Sequence, residues 1–575
     1  MDSALGFPVY SFPMGTTKPE SLLVERTTQV ESESSMKGFV GSLSMGVLNL
    51  ALLATSPGCG GDEIQPPDVR FPGGTDTEVT GASEGNGGAV GALRISRIVP
   101  AAGAPGSRVM IFGSGFSPGD TRVFFGRIEA EEISIFGQAP SSTLIARVPD
   151  TGTSGPIDVT LVSAEDEAIF AERKEGFTVL APSGGSFRLS ESFEILPQQN
   201  HFACEFGDFN QDGYPDLVYV RDGGDVGIYP NRGEAQPGAF AQPVLLPNPS
   251  GLTNITVNAG DLDMDGFIDL IVLKGEESQD ILYNDGTGDF SFTEGAEFPK
   301  NDPQCTNGTP VQSGNRGTLA DFNGDGFLDF FQAQGTGATG GFPNQLFFND
   351  HQSSPRTFKN VSCANMSNDY GRDLTNDGVA VDYDLDGDTD LFTISTTEGG
   401  AAASRLYLNT LGVLRSESAF LGNFDAEGQM PTALGGAWGF LDDNDYPDVV
   451  LVGSGEDQIF FNSTTDTDGD GVVNLAPVPL VDGGQLGRRV LALDFDGDGD
   501  QDLFVGGQGE GTNFLKIYLN DGGTFTDRSE DLIPREGPTA SGQAGGLAAA
   551  DVDRDGDLDI AVCTVGNSTF LLLNE

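Results

Sequence analysis

GDFNQDGYPDLVYV, from Gly207 to Val220, decides how this chain folds. Carboxylates alternate around a Gly turn, and a run of strand-forming residues follows at once. The nonapeptide inside it, DFNQDGYPD from Asp208, returns as DLDMDGFID from Asp261, DFNGDGFLD from Asp321 and DYDLDGDTD from Asp382. It returns again as DFDGDGDQD from Asp494 and DVDRDGDLD from Asp551. Alternate oxygen-bearing side chains around a Gly are what a short loop needs to wrap a hard cation. Recurrence at a regular period is what a repeat architecture needs.

The successive starts lie 53, 60, 61, 112 and 57 residues apart. One interval is about twice the others, so a degenerate copy is expected near its middle. GFLDDNDYPDVVLVG, from Gly439, fills that place, with Phe440 for the first Asp and Asp445 for the turn Gly. A second signature follows each loop, an apolar strand ending in Asn or nearly so: VGIYPN, DILYND, NQLFFN, SRLYLN, DQIFFN, LKIYLN and TFLLLN. That makes seven units. Short Val, Ile, Leu, Phe and Tyr runs punctuated by Gly, Asn and Asp predict antiparallel strands joined by tight turns. Units of roughly 40–60 residues with about four strands each are the size of propeller blades. The seventh unit stops at Glu575 without its last strand, and SGGSFRLSESFEIL, from Ser183 to Leu196, supplies a spare one ahead of the first unit. Pairing that segment into the last blade closes the ring and hides two sheet edges.

Loop and downstream strand together resemble the FG-GAP/VCBS repeats of integrin α-chain propellers and many bacterial surface proteins, over residues 183–575. The resemblance implies a β-propeller whose loops hold calcium between two strands of a blade. The expected fold class is all-β, a seven-bladed propeller preceded by an Ig-like sandwich.

The chemistry of the loops points the same way. Positions 1, 3 and 5 offer side-chain oxygens, position 7 a backbone carbonyl, and the Asp at position 9 closes the shell. The candidate ligands are Asp208, Asn210, Asp212, Tyr214 and Asp216 in the first loop, and Asp261, Asp263, Asp265, Phe267 and Asp269 in the second. The third offers Asp321, Asn323, Asp325, Phe327 and Asp329, and the fourth Asp382, Asp384, Asp386, Asp388 and Asp390. The sixth unit offers Asp494, Asp496, Asp498, Asp500 and Asp502, and the seventh Asp551, Asp553, Asp555, Asp557 and Asp559. The fifth unit departs from the pattern and is not expected to hold an ion. Zinc is disfavoured because the loops carry neither His nor Cys, and magnesium because it demands a strict octahedron and keeps its waters. Metal-free Asx turns are the alternative, but they leave three or four carboxylates crowded together in each of six places. The run DTDGDGVVN, from Asp466 to Asn474, lies outside the repeat phase. It is either a further calcium loop, through Asp466, Asp468, Asp470 and Asn474, or a solvated insertion.

The chain carries 86 acidic and 29 basic residues, a net charge of −57. Six calcium ions would return only part of that, so nucleic acid and anionic lipid are disfavoured partners. Residues 1–35 resemble no targeting signal and read as an N-terminal extension. From Met36, MKGFVGSLSMGVLNLALLATSPGCGG has one Lys, an apolar stretch and small residues before Cys59. That is a secretory layout. It resembles a bacterial lipoprotein signal with Cys59 as the lipidated residue; simple signal cleavage beside a bystander Cys is the alternative. The stretch is too short and interrupted for a membrane span. Residues 60–92 are rich in Gly, Pro and acid and read as a flexible tether. The expected location is extracellular, or anchored on the outer membrane of a bacterium. Four Cys remain. Cys204 with Cys563, and Cys305 with Cys363, would pair in an exported protein, with buried free thiols the alternative.

Residues 93–181 differ in texture. RISRIVPAAGAPGSRVMIFGSGF, VFFGRIEA, LIARVP, GPIDVTLVS and EGFTVL are short strands at sandwich spacing. Their order resembles the IPT/TIG domain, an Ig-like sandwich that often serves as a spacer in bacterial surface proteins.

Signs of catalysis are scarce. The chain has two His, His201 and His351, with no HExxH, no G-x-S-x-G and no phosphate-binding Gly loop. The single Trp, Trp438, either packs between blades or stacks on a sugar from an exposed edge. The sequence therefore favours a non-enzymatic, calcium-binding surface propeller that engages a protein or glycan. A secreted polysaccharide lyase or glycosidase on the same scaffold is the second reading, and a ligand-free spacer the third.

Overall fold

The computed structural model describes residues 93–575 apart from internal segments, of which the longest are 191–200, 300–315, 335–343, 417–431 and 464–476. The expected extension, signal, Cys59 and tether lie outside the described residues, as do Cys305 and the 466–474 run.

Residues 94–179 form two facing sheets. One orders Arg94–Val99, Arg108–Phe116, Ser141–Arg147 and Ile133–Ile135; the other is built on Phe170–Val179, Gly155–Ser163 and Thr121–Phe125. Between them Val109, Ile111, Phe116, Val123, Phe125, Leu144, Val159 and Leu161 are fully buried. This is the Ig-like sandwich the strand spacing predicts.

From His201 onward the described strands fall into six antiparallel sets of four and a seventh of three. The first runs His201–Gly207, Asp216–Arg221, Val226–Tyr229 and Val244–Leu245. The next three start at Asn254, Arg316 and Leu374, and the last three at Thr432, Leu486 and Ser541. The Asp nonapeptide always joins the first strand of a set to the second. Second strands such as Asp269–Lys274, DLIVLK, are buried throughout, as a strand covered by neighbours on both faces must be. First strands are instead rich in Gly and Ala, because neighbouring first strands crowd one another. A Cβ on Gly545 would lie 2.5 Å from the carbonyl oxygen of His201, and one on Gly435 2.4 Å from that of Arg488.

The ring closes where the sequence places its spare strand. Arg188–Leu189 pairs antiparallel with Phe570–Leu573, opposing Arg188 to Leu573 and Leu189 to Leu572. Each adjoining pair of sets shares an apolar cluster. Leu217 and Tyr219 of the first set pack with Val552, Ala561 and Leu571 of the seventh. A disulfide joins Cys204 to Cys563 across that same junction. Cys363 is disulfide-bonded as well. The Cys204–Cys563 bridge spans 359 residues of chain, so it restrains the unfolded state strongly. Cys204→Ser is expected to cost about 2–4 kcal/mol, read as a lower urea midpoint that reducing agent then shifts no further at this junction.

The Ig-like domain is not a free spacer. Its Met110, Phe112 and Ile145 are buried in one cluster with Val381, Tyr383, Trp438 and Phe440 of the propeller. Trp438 is thereby buried, its ring edge-on to Phe112 at 6.3 Å and to Phe440 at 5.8 Å. Sugar stacking by Trp438 is ruled out by this packing. The order of strands alone leaves such docking invisible, because the apolar residues that make it also satisfy the alternation of a sandwich strand.

Candidate metal sites

All thirty candidate loop residues are described, and the six complete loops share one hydrogen-bond plan. Both oxygens of the first Asp accept backbone N–H groups, one from position 5 and one from the Gly at position 6. In the second loop Asp265 N–H reaches Asp261 Oδ1 at 3.1 Å and Gly266 N–H reaches Oδ2 at 3.0 Å. The same two bonds recur at Asp208, Asp321, Asp382, Asp494 and Asp551. Position 5 in turn accepts the N–H of position 7, as Asp325 does from Phe327 at 2.9 Å. The Gly at position 6 has positive φ in all six, from +87° at Gly213 to +102° at Gly499. Position 4 does too, with Gln211, Met264, Leu385 and Arg554 between 55° and 60°. This second left-handed residue, which only Gly324 and Gly497 betray in the sequence, folds the carboxylates inward.

Three carboxylate oxygens lie within 4.8 Å of one another at Asp261/Asp263/Asp265, Asp382/Asp384/Asp390, Asp494/Asp496/Asp502 and Asp551/Asp553/Asp559. The first and third loops carry Asn210 and Asn323 at position 3 and so present fewer charges. In the seventh, one buried oxygen each of Asp553 and Asp557 has no hydrogen-bond partner. Burial, reinforced by neighbouring carboxylates, pushes the acids up: Asp261 and Asp494 to about 6, Asp551 to about 7, Asp321 and Asp557 to about 8. Clustered, desolvated and partly unpartnered oxygens on a fixed turn fit a hard divalent cation, which would reverse those shifts. The second loop differs in one respect. Arg356 Nε lies 2.7 Å from Asp263 Oδ2, so a guanidinium already engages one of its oxygens.

The ninth Asp does more than the sequence suggests. It is wholly buried in every set. One oxygen accepts the N–H of position 2 and the other the N–H of the Asn that ends the third strand. Asp269 takes Leu262 N–H and Asn284 N–H, both at 2.9 Å. That Asn then donates from Nδ2 to the position 2 carbonyl of the preceding set: Asn284 to Phe209, Asn349 to Leu262, Asn409 to Phe322 and Asn462 to Tyr383. Asn520 reaches Leu441, Asn574 reaches Phe495, and Asn231 reaches Val552, which returns the chain of bonds to its start. The Asn ending is thus a lock between blades. Its recurrence is plain in the sequence; its partner, about one unit upstream, is not.

The fifth loop has no first carboxylate, and the Ig-like domain supplies a cation there. Arg108, its side chain 9% exposed, donates to the Asp442 carbonyl and sits 3.7 Å from Asp445. Its guanidinium lies 5.2 Å from the ring centroid of Phe440, the residue in place of Asp. Other loops are covered by the same domain. Ala104 N–H donates to Asp494 Oδ2 at 3.1 Å, Ser142 N–H to the Gly387 carbonyl at 3.2 Å, and Arg94 stacks on Phe327 at 4.5 Å. Removing the guanidinium by Arg108→Ala is expected to weaken this docking by about 1–3 kcal/mol. Limited proteolysis between the domains would then accelerate, with or without calcium.

The two His are structural. His201 is buried, with Nδ1 2.8 Å from Thr569 Oγ1 and its ring edge-on to Tyr219, and burial pulls it down to about 4. His351 stacks on Phe327 at 5.0 Å.

A family profile described as FG-GAP-like repeat matches residues 208–272, 261–332 and 494–562, and the IPT/TIG domain profile matches residues 93–171. No curated protein sequence matches the chain. Among solved structures, an Agrocybe aegerita lectin that recognises non-reducing terminal N-acetylglucosamine is 20% identical, with a TM-score of 0.40 over 58% of this chain and 79% of the lectin. BBS1N, solved in complex with ARL6DN, is 11% identical, with a TM-score of 0.40 over 69% of this chain and 98% of its own. The chain carries an IPT/TIG domain followed by FG-GAP-like repeats.

Proposed function

We propose that this chain is a calcium-stabilised, non-enzymatic binding propeller, exported by a bacterium and held at the cell surface through Cys59, that engages a protein or glycan. The observation that carries the reading is the set of six Asp loops, each pre-folded by the same backbone bonds around clustered carboxylate oxygens. Extracellular fluid supplies calcium at the level such modules bind, about 0.1–1 mM. The ions are structural in this account, since the Ig-like domain packs against the third, fourth and sixth loops. The ligand is accordingly met by the rim or the opposite face of the propeller rather than by the Asp loops.

The test presents the purified full chain, with calcium and with chelator, to immobilised bacterial and host glycans and to surface proteins. Saturable, calcium-dependent retention with the ligand recovered intact is expected. Cleavage of a retained polysaccharide would overturn the reading in favour of an enzyme. Labelled fatty acid incorporated into the wild type and lost in Cys59→Ser would support the anchor, and equal labelling would remove it.

A further inference from the structure

The first strands of the seven sets carry an unassigned group of arginines. Six of these strands slip register at equivalent places, at Phe202, Ile255, Asn376, Leu434, Arg488 and Gly545. Such bulges free carbonyls and re-aim side chains. Arg316, Asp377 and Arg489 each stand five residues before the first position of their own loop, so three blades place them in one tier. Gly435 and Gly546 hold that position in two other blades, where a Cβ would meet neighbouring backbone at 2.4 and 2.9 Å.

Arg316 Nη2 and Arg489 Nε donate to the same oxygen, the Gly545 carbonyl, at 2.6 and 3.1 Å. Arg489 Nη1 also reaches the Leu434 carbonyl at 2.9 Å, and Arg488 Nε the neighbouring Ala544 carbonyl at 3.3 Å. Three guanidinium groups therefore converge on one stretch of backbone. The facing carboxylate is Asp377, 3.8 Å from Arg316 Nε. Glu205 also acts on Arg316, but burial pushes it up to about 7. The charged group acting on Arg488 is Arg316, another cation. Arg316 and Asp377 keep 19% and 18% of their side-chain surface, so solvent reaches the tier.

An excess of charges of one sign, largely removed from water, is costly. A chain with 86 acidic residues and 29 basic ones nevertheless gathers three arginines here, beside Asp377 and Glu205 among the described residues. Guanidinium is the group that grips planar or tetrahedral oxyanions through paired N–H donors. We propose that Arg316, Arg488 and Arg489 form a binding site for a small oxyanion of the sulfate or phosphate type at the centre of the propeller.

Calorimetric titration of the full chain with inorganic sulfate tests the site, with phosphate in calcium-free buffer as a second probe. One saturable site is expected, and Arg488→Ala weakens it by about tenfold or more. Sulfate-free Arg488→Ala should melt no lower than wild type, because relief of the repulsion from Arg316 offsets the loss of one long backbone bond. Should that variant fail to fold, Asp377→Asn serves instead and tightens sulfate binding by removing the competing negative charge. Tight capture of a sulfated oligosaccharide, with Arg488-dependent competition by free sulfate, would assign the same site to a glycan's sulfate group. Absence of saturable binding, or equal affinity in the wild type and variants, would overturn the proposal.

Discussion

Chelating calcium should lower the melting temperature of the full chain by about 8 °C. If free calcium stands about tenfold above the dissociation constant, each loop gains about 1.4 kcal/mol, and six loops about 8 kcal/mol. An unfolding entropy of about 2 cal/mol/K per residue over some 480 described-range residues turns that into the predicted shift. The loss has a physical source in the folded protein. Without an ion, the carboxylates of each loop face one another, held mainly by backbone N–H groups. The second loop should contribute least, because Arg356 already engages Asp263. Thermal melts in calcium and in chelator measure the shift.

Asp269→Ala should cost about 4–5 kcal/mol even in chelator, and more in calcium, because the ninth Asp also closes the metal shell. Its two oxygens satisfy Leu262 N–H and Asn284 N–H, both interior, and truncation strands both donors and loosens the Asn284 bond to the previous blade. Asp448→Ala offers the control. The fifth loop lacks the first carboxylate, yet Asp448 accepts Leu441 N–H at 2.8 Å and Asn462 N–H at 2.7 Å like every other ninth residue. In chelator the two variants should lose similar stability, and only Asp269→Ala should lose more when calcium is added. Asp265→Ala, which alters the metal shell but leaves this lock intact, should instead be costly in calcium and nearly neutral in chelator. Urea titrations in both buffers separate the two behaviours; a calcium-dependent cost at Asp448 would contradict the assignment.

What was legible in the sequence was whatever repeats. The Asp loops, the degenerate fifth copy at Phe440 and the spare strand around Arg188 could be read because each recurs or fills a gap in a series. The Asn that ends the third strand was visible for the same reason, but its bond to the neighbouring blade was not. Contacts between the Ig-like domain and the ring left no trace at all. Arg108 and Asp442 are 334 residues apart, and an arginine on a sandwich strand looks like an ordinary solvated position until the fold brings Phe440 beneath it. The tier of Arg316, Asp377 and Arg489 was hidden differently. Its members share a register position, but the residues at that position vary from blade to blade, so no motif advertises them.

The account rests on the Asp loops being ion sites, and counting bound calcium on the full chain tests that most directly. Equilibrium dialysis against labelled calcium should give about six ions per chain, falling by one in Asp555→Ala and unchanged in Asp445→Ala. No bound calcium at millimolar concentration would make the loops plain turns and remove the ground for a calcium-stabilised propeller.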